Sequence, residues 1–355
     1  MDDSKQGLYK YQILKQHLLR NIQCGGYGAY GKVESEPALQ RQFGLSRNTI
    51  RQAIKELEHE GYVYRIRGKG TFIKNISPQN SQKIALIIYD SSYMTNYVTG
   101  NLIRGIDFCL SKNGYTLDIL AGKRDFNREK VDHLTTTYAG FLIGAYQIDH
   151  LILQALIKSG RPCLFVKNYP DSHKHLAVRI DYEKAGFLAA EHLIQCGCKN
   201  LGMLNGPETM SISRDFFNGV RNAAAEYGVQ LKRLNCLQCP FPIPERAADM
   251  AEHFIKAGTD GIICASDEFA LNIAEKLIRK GIKIPQNIQI TGCNNNPVCQ
   301  TKTLSFTSIK IPVFELGEVA AAALLKKISG TDDQLPEMLS PELIIKNSTK
   351  RISSC

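Results

Sequence analysis

Apolar positions along the first 74 residues change from helical to strand spacing. Tyr9, Ile13, Leu14, Leu18 and Ile22 recur on one helical face, which predicts an amphipathic helix over 9–22. Ser35-Glu36-Pro37 can open a second helix over about 36–43, with Ser35 as its cap and Pro37 in its first turn. Gly44 closes that helix, Ser46 caps a third reaching about Glu60, and Gly61 ends it. Tyr62–Arg67, the turn Gly68-Lys69-Gly70 and Thr71–Lys74 then read as a β-hairpin. The order is helix, helix, turn, helix, two-stranded wing: a winged helix-turn-helix domain over residues 1–74. Residues 75–82 are polar, contain Pro78 and read as a linker.

From Lys83 onward short apolar runs alternate with helical stretches. The runs are Ile84–Tyr89, Tyr115–Leu120, Gly140–Ile143, Cys163–Val166, Leu201–Leu204, Gly261–Ala265 and Ile288–Gly292. Helices are expected near 98–113, 149–159, 182–196, 212–227, 245–257, 267–280 and 313–328. Such alternation predicts parallel sheets covered on both faces. The length of 83–355 favours two α/β lobes with a cleft between them over one doubly wound domain.

Charge sharpens this division. Residues 1–82 hold 13 Lys/Arg against 7 Asp/Glu, whereas the remaining 273 hold 31 against 27. A basic module beside a nearly neutral body suggests a polyanion-binding head, with an ordinary basic surface as the alternative. No secretory h-region and no apolar run of membrane-spanning length occur. Eleven cysteines, an odd and scattered set, fit a reducing cytoplasm. Cys236-Leu-Gln-Cys239 has half a zinc spacing without a second half, so inert thiols are expected and no metal or cofactor is implied. Gly26-Tyr27-Gly28-Ala29-Tyr30-Gly31 matches a dinucleotide fingerprint but follows a helix rather than a strand, and reads as a turn.

The candidate chemistry begins at the third helix. Arg47, Asn48, Thr49 and Arg51 lie near its N-terminal end, the end that enters the major groove in helix-turn-helix proteins. Arg can donate twice to guanine, Asn can read adenine, and Thr can meet a phosphate or a thymine methyl. Arg65, Arg67 and Lys69 put three cations on the hairpin, where flanking glycines allow close approach to the sugar-phosphate. The candidate DNA-contacting set is Ser35, Glu36, Ser46, Arg47, Asn48, Thr49 and Arg51, with Arg65, Arg67, Gly68, Lys69, Gly70 and Thr71 from the wing. A solvated basic helix face is the alternative.

Residues 8–74 resemble the GntR-family winged helix. The resemblance is carried by Ser35-Glu36-Pro37-Ala38-Leu39, Phe43-Gly44-Leu45-Ser46-Arg47-Asn48-Thr49-Ile50-Arg51-Gln52-Ala53-Ile54 and Gly68-Lys69-Gly70-Thr71-Phe72-Ile73. Glu34 stands where the family usually has proline. Residues 83–355 resemble the LacI/GalR sensor of periplasmic-binding-protein fold. This likeness rests on Arg104-Gly105-Ile106, Asp181-Tyr182-Glu183-Lys184-Ala185-Gly186, Ser211-Ile212-Ser213-Arg214-Asp215-Phe216, Ala265-Ser266-Asp267-Glu268 and Thr291-Gly292-Cys293-Asn294-Asn295. Ser266 replaces a usual Asn, and Asn294-Asn295 replace a usual Asp-Asp.

The two resemblances imply a repressor that binds palindromic operator DNA as a homodimer and answers to a sugar. A GntR-type head on a LacI-type body also resembles the arabinose repressors, which makes L-arabinose the first expected effector. The implied effector residues are Arg214, Ser266, Asp267 and Asn294, with Lys167 and Asn168 at a strand end and Tyr93, Tyr97 or Phe216 as stacking faces in a chain without Trp. Arg214 could bind two neighbouring hydroxyls with its fork; an interlobe salt bridge is its alternative. An α/β enzyme is disfavoured by the absence of a Walker A loop, a G-x-S-x-G elbow or a His/Glu metal pattern. An ungated architectural DNA binder is the third reading.

Overall fold

Ser35 and Ser46 open the second and third helices, each accepting a backbone N–H at the third helical position, from Ala38 at 3.3 Å and Thr49 at 3.2 Å. Gly44, at φ 63°, closes the second in the left-handed conformation. The computed structural model describes residues 3–23, 27, 31–66, 68–73, 81–88, 96–121, 128–144, 148–240, 249–300, 304–331 and 334–350. Most of the expected turn at 26–31, Arg67, Tyr93 and most of the linker lie outside the described residues. Two compact units result: a head from residues 1–82 with 136–139, and a body from 83–135 with 140–355.

The head holds helices α1 (Asp3–Gln23), α2 (Glu36–Phe43) and α3 (Arg47–His59) and strands β1 (Val63–Ile66) and β2 (Gly70–Ile73). Leu14, Leu18, Leu39, Ile50, Ile54 and Leu57 form its core with Val33, Val63 and Ile73. Phe43 and Leu45, expected to hold the helices together, pack against this core half-buried. The hairpin gains a third edge: Lys32 bridges Phe72, and Val33 N–H bonds Thr71 O at 2.9 Å.

The body runs β3 (Lys83–Ile88), α4 (Tyr97–Lys112), β4 (Thr116–Ala121), α5 (Arg128–Thr137), β5 (Gly140–Ile143), α6 (His150–Lys158), β6 (Cys163–Val166), β7 (Ala177–Val178), α7 (Tyr182–Gln195) and β8 (Leu201–Asn205). It continues through α8 (Ser211–Glu226), β9 (Cys236–Gln238), α9 (Met250–Lys256), β10 (Gly261–Cys264), α10 (Asp267–Arg279), β11 (Gln289–Cys293), β12 (Thr307–Lys310), α11 (Val313–Ser329) and β13 (Glu342–Ile344).

These strands make two sheets, ordered β4-β3-β5-β6-β7 and β13-β12-β11-β10-β8-β9. Both are parallel apart from β13, which pairs antiparallel with β12. The chain crosses between lobes after β7, after β12 and after α11. At the hinge Ile180 bridges Leu339, and Asp181 N–H bonds Leu339 O at 3.0 Å.

Each lobe packs a helix pair at backbone contact. A Cβ on Gly105 would lie 2.0 Å from Phe314 O, where α4 meets α11. A Cβ on Gly219 would lie 1.8 Å from Glu183 O, where α8 meets α7. Strand β12 was not expected from the apolar pattern, because Thr307 and Ser308 are polar yet wholly buried. Their hydroxyls bond Thr349 and Asp267, so hydrogen bonding replaces the apolar signal. Among the described residues nine cysteines are free thiols, and no helix is long and apolar enough to cross a membrane.

Candidate nucleic-acid interface and effector cleft

On the head, one carboxylate arranges two arginines. Glu36, in the first turn of α2, accepts from Arg47 Nε at 3.2 Å and from Arg51 Nε at 3.1 and 3.2 Å. Partial burial works to raise the Glu36 pKa, but hydrogen bonds from Arg47 and Arg51 overcome it and hold the carboxyl below its ordinary value. Because the bonds run through Nε, the terminal amino groups of both guanidinium ions remain for an external acceptor. The side chains of Arg47 and Arg51 are 63% and 50% exposed, and Asn48 beside them is exposed. Ser35, Ser46 and Thr49 act locally. The two serines cap helices, and Ser46 Oγ lies 2.7 Å from Thr49 Oγ1.

The wing turn closes with Lys69 N–H on Ile66 O at 3.0 Å, and Gly68 and Gly70 take φ values of 76° and 119°. Lys69 projects exposed between them, while Thr71 is half-buried in β2. Arg65 reaches back to Glu58 of α3 at 3.4 Å. Sequence reasoning missed Lys32. Its stem lies against Gly70, its ammonium stands 5.9 Å from the Phe72 ring centroid, and it adds a cation to the wing. Only the chain reversal that lays Lys32 beside Phe72 reveals it, and hairpin spacing carries no trace of that.

In the body, the non-glycine residues with positive φ among those described are Lys167 (73°), Asn294 (94°) and Asn295 (47°). All three follow strand ends, β6 in the first lobe and β11 in the second. Strained backbone of this kind costs about 1–3 kcal/mol per residue and collects at ligand sites, and open α/β sheets bind ligands beyond the carboxyl ends of their strands. Lys167 is enclosed by protein yet keeps part of its side chain accessible, as a residue of a cleft wall does; desolvation lowers its pKa to about 8. Asn168 is buried, with no hydrogen-bond partner for its side-chain oxygen among the described residues. Asn294 is half-buried after β11 in the second lobe.

Arg214 is already engaged. It donates through Nη2 to Asp171 at 2.5 Å and through Nη1 to the carbonyls of Glu208 at 3.0 Å and Thr209 at 3.4 Å. Asp171 belongs to the segment after β6 and Arg214 to α8, so this is an interlobe ion pair. Tyr169 doubles it, with its N–H on Ser211 Oγ at 3.2 Å and its hydroxyl on Asp215 at 2.9 Å.

Three expected contacts need correction. Asp267 is wholly buried: one carboxylate oxygen accepts from Ser308 Oγ at 2.7 Å and the other from Asn296 N–H at 2.5 Å. Burial raises its pKa to about 7 against the pull of those bonds. It therefore ties α10 to β12 instead of facing a ligand. Ser266 is 2% exposed and caps α10 through Phe269 N–H at 3.1 Å. Phe216 is also 2% exposed, so its ring offers no face for stacking. Tyr97 opens α4 half-buried, and no hydrogen bond joins its hydroxyl to the strand-end residues described above.

Two family models match separate parts of the chain. Residues 10–73 match the model of bacterial regulatory proteins of the gntR family, and residues 190–349 match that of the periplasmic binding protein-like domain. The chain is 27% identical to the arabinose metabolism transcriptional repressor of Geobacillus stearothermophilus, over 97% of this chain and 99% of that one. Its counterpart in Halalkalibacterium halodurans is 24% identical over 97% and 98%. Among solved structures, the transcriptional regulator CelR in complex with cellobiose aligns with a TM-score of 0.66 at 20% identity, over 85% of this chain and 90% of that one. A LacI family regulator from Enterococcus faecium with bound ribose aligns with a TM-score of 0.64 at 23% identity, over 75% and 98%. The chain thus joins a DNA-binding head of the bacterial gntR regulatory family to a two-lobed periplasmic-binding-protein-like body.

Proposed function

We propose that this chain is a sugar-responsive transcriptional repressor, with L-arabinose as its first-choice effector. The observation that carries the reading is the presence, in one chain, of an exposed arginine pair set on a capped helix beside a cationic wing, joined to a body with strained polar strand ends. Relatives named as arabinose repressors match this chain over 97% of its length, which supports L-arabinose over other sugars. In the head, Arg47, Asn48 and Arg51 read bases from the major groove, Glu36 holds the arginines in place, and Lys69 with Lys32 meets the backbone. In the body, Lys167, Asn168 and Asn294 bind the sugar and Arg214 stands at the entrance.

The working unit is a homodimer on a near-palindromic duplex, since one reading helix covers only a few base pairs. A sugar that touches both lobes favours their closed arrangement by its differential affinity, and that preference is the source of the signal. Most of the linker through which it would pass lies outside the described residues. The test is a duplex selected by the full chain from a randomised library, titrated with protein in the presence of L-arabinose, D-xylose, D-ribose or D-galactose. L-arabinose is expected to weaken duplex binding most. Duplex affinity indifferent to every sugar would remove the proposal.

A further inference from the structure

The Asn168 side-chain oxygen and the Tyr182 hydroxyl are buried without a hydrogen-bond partner among the described residues. Each side chain belongs to a residue only 5% exposed. A buried polar group is ordinarily paired, so an orphaned one marks a place where a partner is still to arrive. Asn168 follows Lys167 beyond β6 in the first lobe. Tyr182 is the first residue of α7 in the second lobe, directly after the hinge at Ile180. The Cys293 thiol, at the end of β11, lies within electrostatic reach of both Lys167 and Tyr182. Lys167 N–H also bonds Val178 O at 3.1 Å beside β7, two residues before Ile180, so residues from both lobes converge beside the hinge.

The Lys167 ammonium has a carboxylate within electrostatic reach. Glu268, at the start of α10, acts electrostatically on Lys167, while Arg214 is held by Asp171. Glu268 also accepts from Asn296 Nδ2 at 2.8 Å, which fixes its carboxylate in place.

We propose that Tyr182 is a specificity-determining residue of the effector site, where its hydroxyl and the Asn168 oxygen take hydroxyl groups of a neutral polyol and the Lys167–Glu268 balance turns phosphorylated sugars away. This inference rests on the sugar-responsive reading above. A phenol hydroxyl both donates and accepts, and an amide oxygen accepts. A sugar hydroxyl satisfies either. A phosphate brings a charge of about −1.5 to −2 and mainly acceptor oxygens; it would face the Asn168 oxygen, which only accepts, and the Glu268 carboxylate, which offsets the Lys167 charge. Burial raises the Tyr182 pKa well above its ordinary value, so the phenol keeps its proton.

The test is calorimetric titration of the full chain with L-arabinose, D-xylose, D-ribose and D-galactose, and with D-ribose 5-phosphate and D-glucose 6-phosphate. A neutral sugar binds, and the phosphates bind about a hundredfold more weakly or not at all. Tyr182→Phe keeps the ring and removes the hydroxyl, so it weakens the sugar about tenfold while melting temperature and affinity for the selected duplex stay unchanged. Glu268→Gln leaves Lys167 uncompensated and narrows the discrimination against phosphates. Unchanged sugar affinity in Tyr182→Phe, unchanged discrimination in Glu268→Gln, or a phosphate as the tighter ligand overturns the inference and leaves the sugar-responsive repressor standing. If no sugar of either class binds, the sensor reading itself falls and the inference with it.

Discussion

Head and body both fasten arginine with a carboxylate, but to different ends. On the head, Glu36 grips Arg47 and Arg51 by their Nε edges and leaves their terminal amino groups facing outward. In the body, Asp171 takes Arg214 by a terminal amino group, and two carbonyls take another. The first arrangement presents cations to an external acceptor; the second uses a cation to join two lobes. An arginine in a carboxylate's grip is therefore ready for a ligand or withdrawn from one according to which nitrogens are engaged.

The largest expected effect breaks the first arrangement alone. Arg47→Ala/Arg51→Ala should abolish preference for the selected duplex, at about 1–3 kcal/mol for each base left unread, and leave sugar binding intact. Fluorescence anisotropy against selected and scrambled duplexes reads this directly. Lys69→Ala should instead weaken both duplexes evenly and reduce the salt slope by about one. Full specificity in the double variant would remove α3 as the reading helix.

A packing test sharpens the contrast. Gly219→Ala places a methyl 1.8 Å from Glu183 O, between helices that have no room to part. It should destabilise the body by about 1–3 kcal/mol or more. Gly44→Ala meets no atom within 4 Å and bears only its left-handed φ of 63°; it should cost the head about 1–2 kcal/mol. Thermal melts followed by near-ultraviolet circular dichroism compare the two, and a Gly219→Ala protein as stable as the parent would contradict the close helix packing.

How far each region could be read from sequence follows from the same physics. On the head, Ser35, Gly44 and Ser46 act through neighbours three or four residues away, so spacing alone located α2 and α3. The cleft depends on long-range partners. Asp171 is 43 residues from Arg214, and Ser308 is 41 from Asp267, distances at which no periodicity reports contact. The family resemblance implied a ligand-facing role for Asp267, and the sequence hides its burial. Lys167 was found at a strand end, but its positive φ was not legible. Tyr182 lay within a recognised crossover motif as an aromatic residue, with nothing to mark its hydroxyl as orphaned.

Asp267 also separates head from body by pH. Its folded pKa, about 7, is raised above the ordinary 3.8. The stability it contributes is therefore fully present below about pH 4 and is lost as pH rises through about 7. Asp267→Asn should flatten that portion of the body's melting-temperature profile. A profile identical to the parent's would show that Asp267 does not titrate in this window.

The smallest effect belongs to the interlobe ion pair. Asp171 is 81% exposed and Arg214 35%, so solvent screens the pair and Asp171→Asn should cost about 0–1 kcal/mol in stability. Because it frees the Arg214 fork, it should shift sugar affinity by less than about tenfold and leave Arg47/Arg51-dependent duplex binding unchanged. A larger change in duplex binding would mean that the pair itself carries the signal between head and body.

The central claim, that one chain couples a sugar to DNA, is tested most directly by closing a thermodynamic cycle. L-arabinose is titrated calorimetrically into the full chain with and without the selected duplex, and duplex affinity is measured with and without saturating sugar. The account predicts that sugar weakens duplex binding and duplex weakens sugar binding by the same factor, about 5–150-fold. Sugar that binds tightly in the cleft while duplex affinity stays the same would contradict it.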